Sequence, residues 1–192
     1  MKLILPKMFV DNASIIHPLF FLAGPVLGGG NWQEKCCLEI AKRIPEFFAV
    51  IPCRWSPADK LFCHRVREAE RNTLVRQTDW ERHYLAMANS LSIDHQGCII
   101  FWLPVESKDH PRIDGQPYAR DTYGELGRWG REAAFKKTRI VVGAEADFPG
   151  LSQIRRNLEL DFKNGVEFQI YPTLEKTVEQ AVQWVGIGSN HL

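Results

Sequence analysis

Three short segments hold the residue types that do chemistry. Thr78-Asp79-Trp80-Glu81 sets two carboxylates two residues apart. At a helix start such a pair acts as a cap, because carboxylates favour the positive end of the dipole. Near strand ends the same groups hydrogen-bond a ligand. Asp121-Thr122-Tyr123-Gly124-Glu125-Leu126-Gly127 places Glu125 between two glycines, one turn into a helix. Glycine costs a helix interior about 1 kcal/mol against alanine. The two glycines therefore fit close approach of something bulky to the backbone, or else a plain loop-to-helix junction with an exposed glutamate. Gly28-Gly29-Gly30 is the third segment. Between a strand and a helix its N–H groups can face an anion, or it is a simple chain reversal. It is neither G-x-G-x-x-G nor a P-loop, since no Gly-Lys-Ser/Thr follows.

Other chemistries lack their residues. His17, His64, His83, His95, His110 and His191 are scattered without H-x-x-x-H or H-E-x-x-H spacing. Cys36, Cys37, Cys53, Cys63 and Cys98 form no C-x-x-C pair. No metal and no cofactor is expected. Cys98 starts an apolar run and reads as packing. No G-x-S-x-G elbow supports a serine hydrolase.

With 192 residues and a formal net charge of +1, the chain fits one domain without the basic excess that draws a nucleic acid polymer. Its 45% hydrophobic and 24% charged residues match globular proteins and exclude disorder. The N-terminal Met-Lys-Leu-Ile-Leu-Pro is no signal peptide. The longest apolar stretches, Leu19–Ala23 and Cys98–Leu103, fall short of the roughly 20 residues of a membrane span. Five cysteines without a framework fit free thiols in a reducing compartment, so a cytoplasmic protein away from membranes is expected.

Something must position these segments, and the alternation of apolar runs with helical periodicity says what. Leu19–Ala23, Phe47–Ile51, Cys98–Leu103, Arg139–Gly143 and Val166–Tyr171 read as strands, several apolar at every residue, as when covered on both faces. Helices are expected over Trp32–Ile44, from Asp79 to about Leu91, from a cap at Asp121 or Thr122 to about Lys136, over Gly150–Leu160, and from a cap near Thr173 to about Val185. Residues 1–17 add an edge strand or an arm, and Trp55–Gln77 is the least readable part. The order predicts an α/β fold, a flavodoxin-like or Rossmann-like three-layer sandwich with a five-stranded mainly parallel sheet. In such sheets ligands sit beyond the carboxyl ends of the strands at the topological switch point. Gly24–Trp32, Pro52–Asp79 and Pro104–Glu125 are thereby singled out.

Taken in order, Phe21-Leu22-Ala23-Gly24-Pro25 with Trp32, Trp80-Glu81, Phe101-Trp102-Leu103-Pro104 and Thr122-Tyr123-Gly124-Glu125-Leu126-Gly127 resemble the nucleoside 2-deoxyribosyltransferase-like family over about Leu19–Gly143. The family shares the fold expected above. The resemblance implies cleavage of an N-glycosidic bond of a (deoxy)nucleoside or nucleotide, with the sugar passed to another base or to water. It makes Glu125 the nucleophile at C1′. A retaining mechanism needs a second carboxyl as acid, typically about 5–5.5 Å away; Asp79 and Glu81 are favoured, with Asp121 as a further candidate. Gly24, Pro25, Gly28 and Gly29 would cradle sugar or phosphate, Trp32 or Trp102 would stack on a base, and Pro104, Asp121 and Thr122 would complete the binding surface. A homo-oligomer is implied too, with Gly186–Leu192 a candidate contributor to a neighbouring site.

Two departures stand out. The acidic residue that closely follows the third strand in well-studied transferases has no clear equivalent in Val105-Glu106-Ser107-Lys108-Asp109, and Ser90–Gln96 reads as an insertion. The competing expectation is a non-catalytic nucleotide-binding or regulatory module on the same fold. Arg65, Arg67, Arg71 and Arg76 suit either a 5′-phosphate or a solvated helix face.

Overall fold

A computed structural model describes residues 1–6, 8–52, 73–91, 94, 96–136, 138–162 and 168–186, with the backbone alone for 73–76. Cys53, Cys63, Arg65, Arg67 and Arg71, the side chain of Arg76, and residues 187–192 of the tail lie outside the described residues.

The fully apolar runs form the centre of a sheet. Leu19–Ala23 (β2), Gly97–Leu103 (β4) and Ile140–Ala144 (β5) are buried at every residue, as strands covered on both faces must be. They are joined by Lys2–Ile4 (β1), Phe48–Val50 (β3) and Ile170–Tyr171 (β6) into a six-stranded, wholly parallel sheet of order β1-β3-β2-β4-β5-β6. The sheet thus has one strand more than the five expected. The extra one is β1, the edge strand expected within residues 1–17. Register runs Leu19 to Gly97 and on to Ala23 with Phe101 across β2 and β4, then Ile99 to Ile140 across β4 and β5.

Five helices cover the faces: Trp32–Ala41 (α1), Thr73–Leu91 (α2), Arg120–Lys136 (α3), Leu151–Asp161 (α4) and Leu174–Gly186 (α5). One face packs the odd-numbered Leu19, Phe21, Ala23, Ile99, Phe101 and Leu103 against α2, α3 and α4. The other packs Phe20, Leu22, Cys98, Ile100 and Trp102 against α1 and α5. Chain direction explains the split. The step from β2 to β3 goes one way through α1; the steps to β4, β5 and β6 go the other way through α2, α3 and α4. Right-handed crossovers then demand opposite faces. The architecture is the expected α/β three-layer sandwich, and the strand order reverses between β2 and β4.

Helix starts differ from expectation in two places. α2 begins at Thr73, so Asp79 and Glu81 lie inside the helix and cannot cap it. α3 begins at Arg120, which puts Asp121 and Thr122 in its first turn rather than at the cap; Ala119, at φ 58°, makes the entry bend. The α5 cap is as expected, with Thr173 Oγ1 accepting from Lys176 N at 3.2 Å.

The chain between β1 and β2 is an arm laid on α2. Trp80 Nε1 and the Tyr84 hydroxyl both donate to Met8 O, at 2.8 and 3.0 Å, and the hydroxyl accepts from Val10 N at 2.8 Å. Cys36, Cys37 and Cys98 are buried and outside any disulfide, and burial pushes Cys36 and Cys98 well above the ordinary thiol range. Such groups are packing, not nucleophiles. Among the described residues no helix is long and apolar enough to cross a membrane.

Candidate active site

A cavity of about 640 Å³ opens at the switch point. Its walls are the turn after β2, the inner sides of α2 and α3, and the loop between β4 and α3.

The turn is built by steric exclusion. Gly24 has φ 150°, and a Cβ there would stand 2.2 Å from Trp102 O. A Cβ at Gly29 would stand 2.1 Å from Pro25 O, which also accepts the Trp32 indole N–H at 2.8 Å. Gly28 sits at φ 82° against Tyr118 and Glu106, and its carbonyl accepts from Ser107 N at 2.7 Å. These contacts divide the expected cradle. Gly24 and Pro25 line the cavity, together with Val26 and Leu27. Gly28, Gly29 and Trp32 do not line it; they fix the shape of the turn behind it.

The aromatic expectation is corrected in the same way. Trp32 and Trp102 are both buried, and neither lines the cavity. Strand alternation directs Trp102 to the α1–α5 face, where its ring fills the space that a Cβ on Gly143 would need. Neither indole has a free face to offer a base. Pro104 is absent from the lining as well; its carbonyl accepts from the Tyr118 hydroxyl at 2.7 Å and so ties down the base of the following loop.

Glu81 from α2 and Glu125 from α3 both line the cavity, with Asp121 and Thr122 beside Glu125. Asp79 is exposed and outside it. At about 100° per residue, Asp79 and Glu81 differ by roughly 200° on the helix and cannot serve one site together. Glu81 falls in phase with the buried Trp80, Tyr84, Leu85 and Ala88; Asp79 falls opposite. That phase was present in the sequence and was the signal to use.

Glu125 is the electrostatic centre. Burial first, then the charges of Glu81 and Asp121, push its carboxyl up to about 8. Among the described residues no hydrogen bond holds its ionised form, whereas Glu81 accepts from Gln77 Nε2 at 2.8 Å. At neutral pH the site therefore presents a protonated Glu125 among acidic neighbours. Carboxyls whose surroundings drive their proton affinities apart are the raw material of acid–nucleophile catalysis. The space beside Glu125 is open: a Cβ on Gly124, which lines the cavity, would meet nothing within 4 Å.

The loop supplies groups that its polar composition had not marked. Arg112 forms a two-point ion pair with Asp114, Nη2 to Oδ2 at 2.9 Å, and Nη1 donates to Pro117 O at 3.1 Å. That guanidinium holds the Asp114 carboxyl down at about 2. Arg120 reaches Asp121 at 3.3 Å and Gln116 Oε1 at 2.7 Å. Arg82 and Arg128 complete four arginines around the cavity. Their only sequence signal was position, beside Glu81 and three residues after Glu125. Among the described residues no group of three or more His, Cys, Asp or Glu side chains is placed to hold a metal ion. Compared with known proteins, the chain matches no protein-family model and no curated protein.

Proposed function

We propose that this cavity cleaves the N-glycosidic bond of a (deoxy)nucleoside or nucleotide, with Glu125 as nucleophile and Glu81 as general acid. The observation that carries the reading is the pair itself: two carboxyls from α2 and α3 lining one cavity at the switch point, with the charge of Glu81 helping to raise the Glu125 carboxyl. The ordered motifs shared with the nucleoside 2-deoxyribosyltransferase-like family support it.

In the reactive arrangement the proton that Glu125 carries at neutral pH passes to Glu81. A Glu125 oxygen then attacks C1′ as the C1′–N bond breaks. The bonding electrons leave with the base, and Glu81 protonates it. In the second step a water or an incoming base attacks C1′. Glu125 departs as carboxylate, and the surplus proton returns to Glu81. Transfer and hydrolysis differ only in the second nucleophile. Assembly into a homo-oligomer belongs to the same proposal.

The test is chromatographic: purified protein against nucleosides, 5′-nucleotides and NAD, with and without an acceptor base. Base release or exchange is expected, lost in Glu125→Gln with folding retained. No release across the panel overturns the enzyme reading. One observation favours a second reading: Glu125 rests protonated, which suits a non-catalytic module donating a hydrogen bond to a bound nucleotide. Ligand binding without turnover in the same panel would establish it.

A further inference from the structure

The four arginines of the cavity differ in what they already hold. Arg112 is bound to Asp114 and Pro117, and Arg120 to Asp121 and Gln116. Their guanidinium groups build the loop. Arg82 and Arg128 have no carboxylate partner among the described residues; Arg128 lies over the Trp129 ring, 5.3 Å from its centroid. Both line the same cavity as Glu81 and Glu125, and they arise from the same two helices. The cavity thus combines the carboxyls of Glu81 and Glu125, where the glycosidic bond would lie, with two guanidinium forks that no described carboxylate engages. Two guanidinium groups without a carboxylate among the described residues, lining one cavity, suit an anion.

Resting on the reading proposed above, we infer that the substrate is a nucleoside 5′-monophosphate whose phosphate is taken by Arg82 and Arg128. Arg128 follows Glu125 by one turn, a rise of about 4.5 Å along α3. That offset suits a furanose ring with C1′ at Glu125 and its 5′ substituent toward Arg128. Guanidinium forks match phosphate oxygens two at a time and discriminate a phosphate from the bare hydroxyl of a nucleoside.

The experiment compares kcat/KM for one nucleoside, its 5′-monophosphate and its 3′-monophosphate, in the wild type and in Arg82→Gln, Arg128→Gln and the double variant. The 5′-monophosphate is expected to be preferred, and each substitution to cut that preference about tenfold to a hundredfold through KM. Both side chains are exposed, so unchanged unfolding midpoints should accompany the loss. Equal use of nucleoside and 5′-monophosphate overturns the inference and leaves the glycosidic chemistry standing. Preference for the 3′-monophosphate overturns it too. If no compound releases base, the glycosidic reading fails, and calorimetric titration of the three compounds into the same proteins decides the phosphate site. Tighter binding of the 5′-monophosphate, lost in the double variant, upholds the site; equal or absent binding ends it.

Discussion

Replacing Glu125 by glutamine should make the protein more stable at neutral pH and leave it unchanged in acid. The folded carboxyl sits near 8, against a reference value of 4.5. A carboxyl raised in the folded state contributes its full stability below the unfolded pKa and loses it as pH rises toward the folded one. At pH 4 both states are largely protonated, and the group is close to neutral in effect. At pH 7 the unfolded chain has released the proton and the folded one has not, a cost of about 3 kcal/mol at 1.36 kcal/mol per unit. By pH 9 the folded group has ionised, and the cost levels off at about 5 kcal/mol. Glutamine keeps the shape, carries no charge and removes the dependence. Urea unfolding of wild type and Glu125→Gln at pH 4, 7 and 9 reads it directly. A difference near zero at pH 4 that grows to about 3 kcal/mol at pH 7 is expected. The same difference at all three values would refute the burial and charge assigned to Glu125, whatever the substrate proves to be.

Two further contrasts test the geometry. Gly124→Ala and Gly127→Ala should each stabilise α3 by up to about 1 kcal/mol, since a Cβ at either would meet nothing within 4 Å. Only Gly124 lines the cavity, so only its variant should raise KM in the base-release assay. On α2, Glu81→Gln should lower turnover about a hundredfold or more, the usual worth of a general acid, while Asp79→Asn leaves it within about twofold. Equal losses for the two would undo the helical phase on which the assignment of the acid depends.

The parts of the fold legible in the sequence were those where one constraint dominates. β2 and β4 are apolar at every residue because both faces are covered, and nothing but a central strand reads that way. Thr173 announces α5 because an uncapped helix start wants a hydroxyl. β1 was legible only as an edge strand or an arm somewhere in residues 1–17, since three edge residues leave no period to fix its bounds. The start of α2 was missed because Thr78-Asp79-Trp80-Glu81 reads as a capping segment but lies inside the helix. At the site, Glu125 stood out through its two glycines, and Glu81 through a phase already present. The tryptophans misled because aromatic side chains near a site serve cores as readily as ligands. Arg82, Arg112, Arg120 and Arg128 were unreadable because their gathering depends on tertiary approach of a loop and two helices.

The two helix layers divide the protein into a working side and a supporting side. Among the described residues every charged group of the cavity comes from α2, α3 or the loop that enters α3. The α1–α5 layer contributes none of them and meets the sheet through a largely apolar seam, with Gln33 and Thr177 as its buried polar residues. Substitutions along that seam can be exchanged against one another for stability without consulting the chemistry. On the opposite side the apolar core shares α2 and α3 with the charged groups that the site needs. Directed evolution of this scaffold would therefore find its tolerance on one face and its changes of specificity on the other, and a library confined to α1 and α5 could harden the protein before the site is touched.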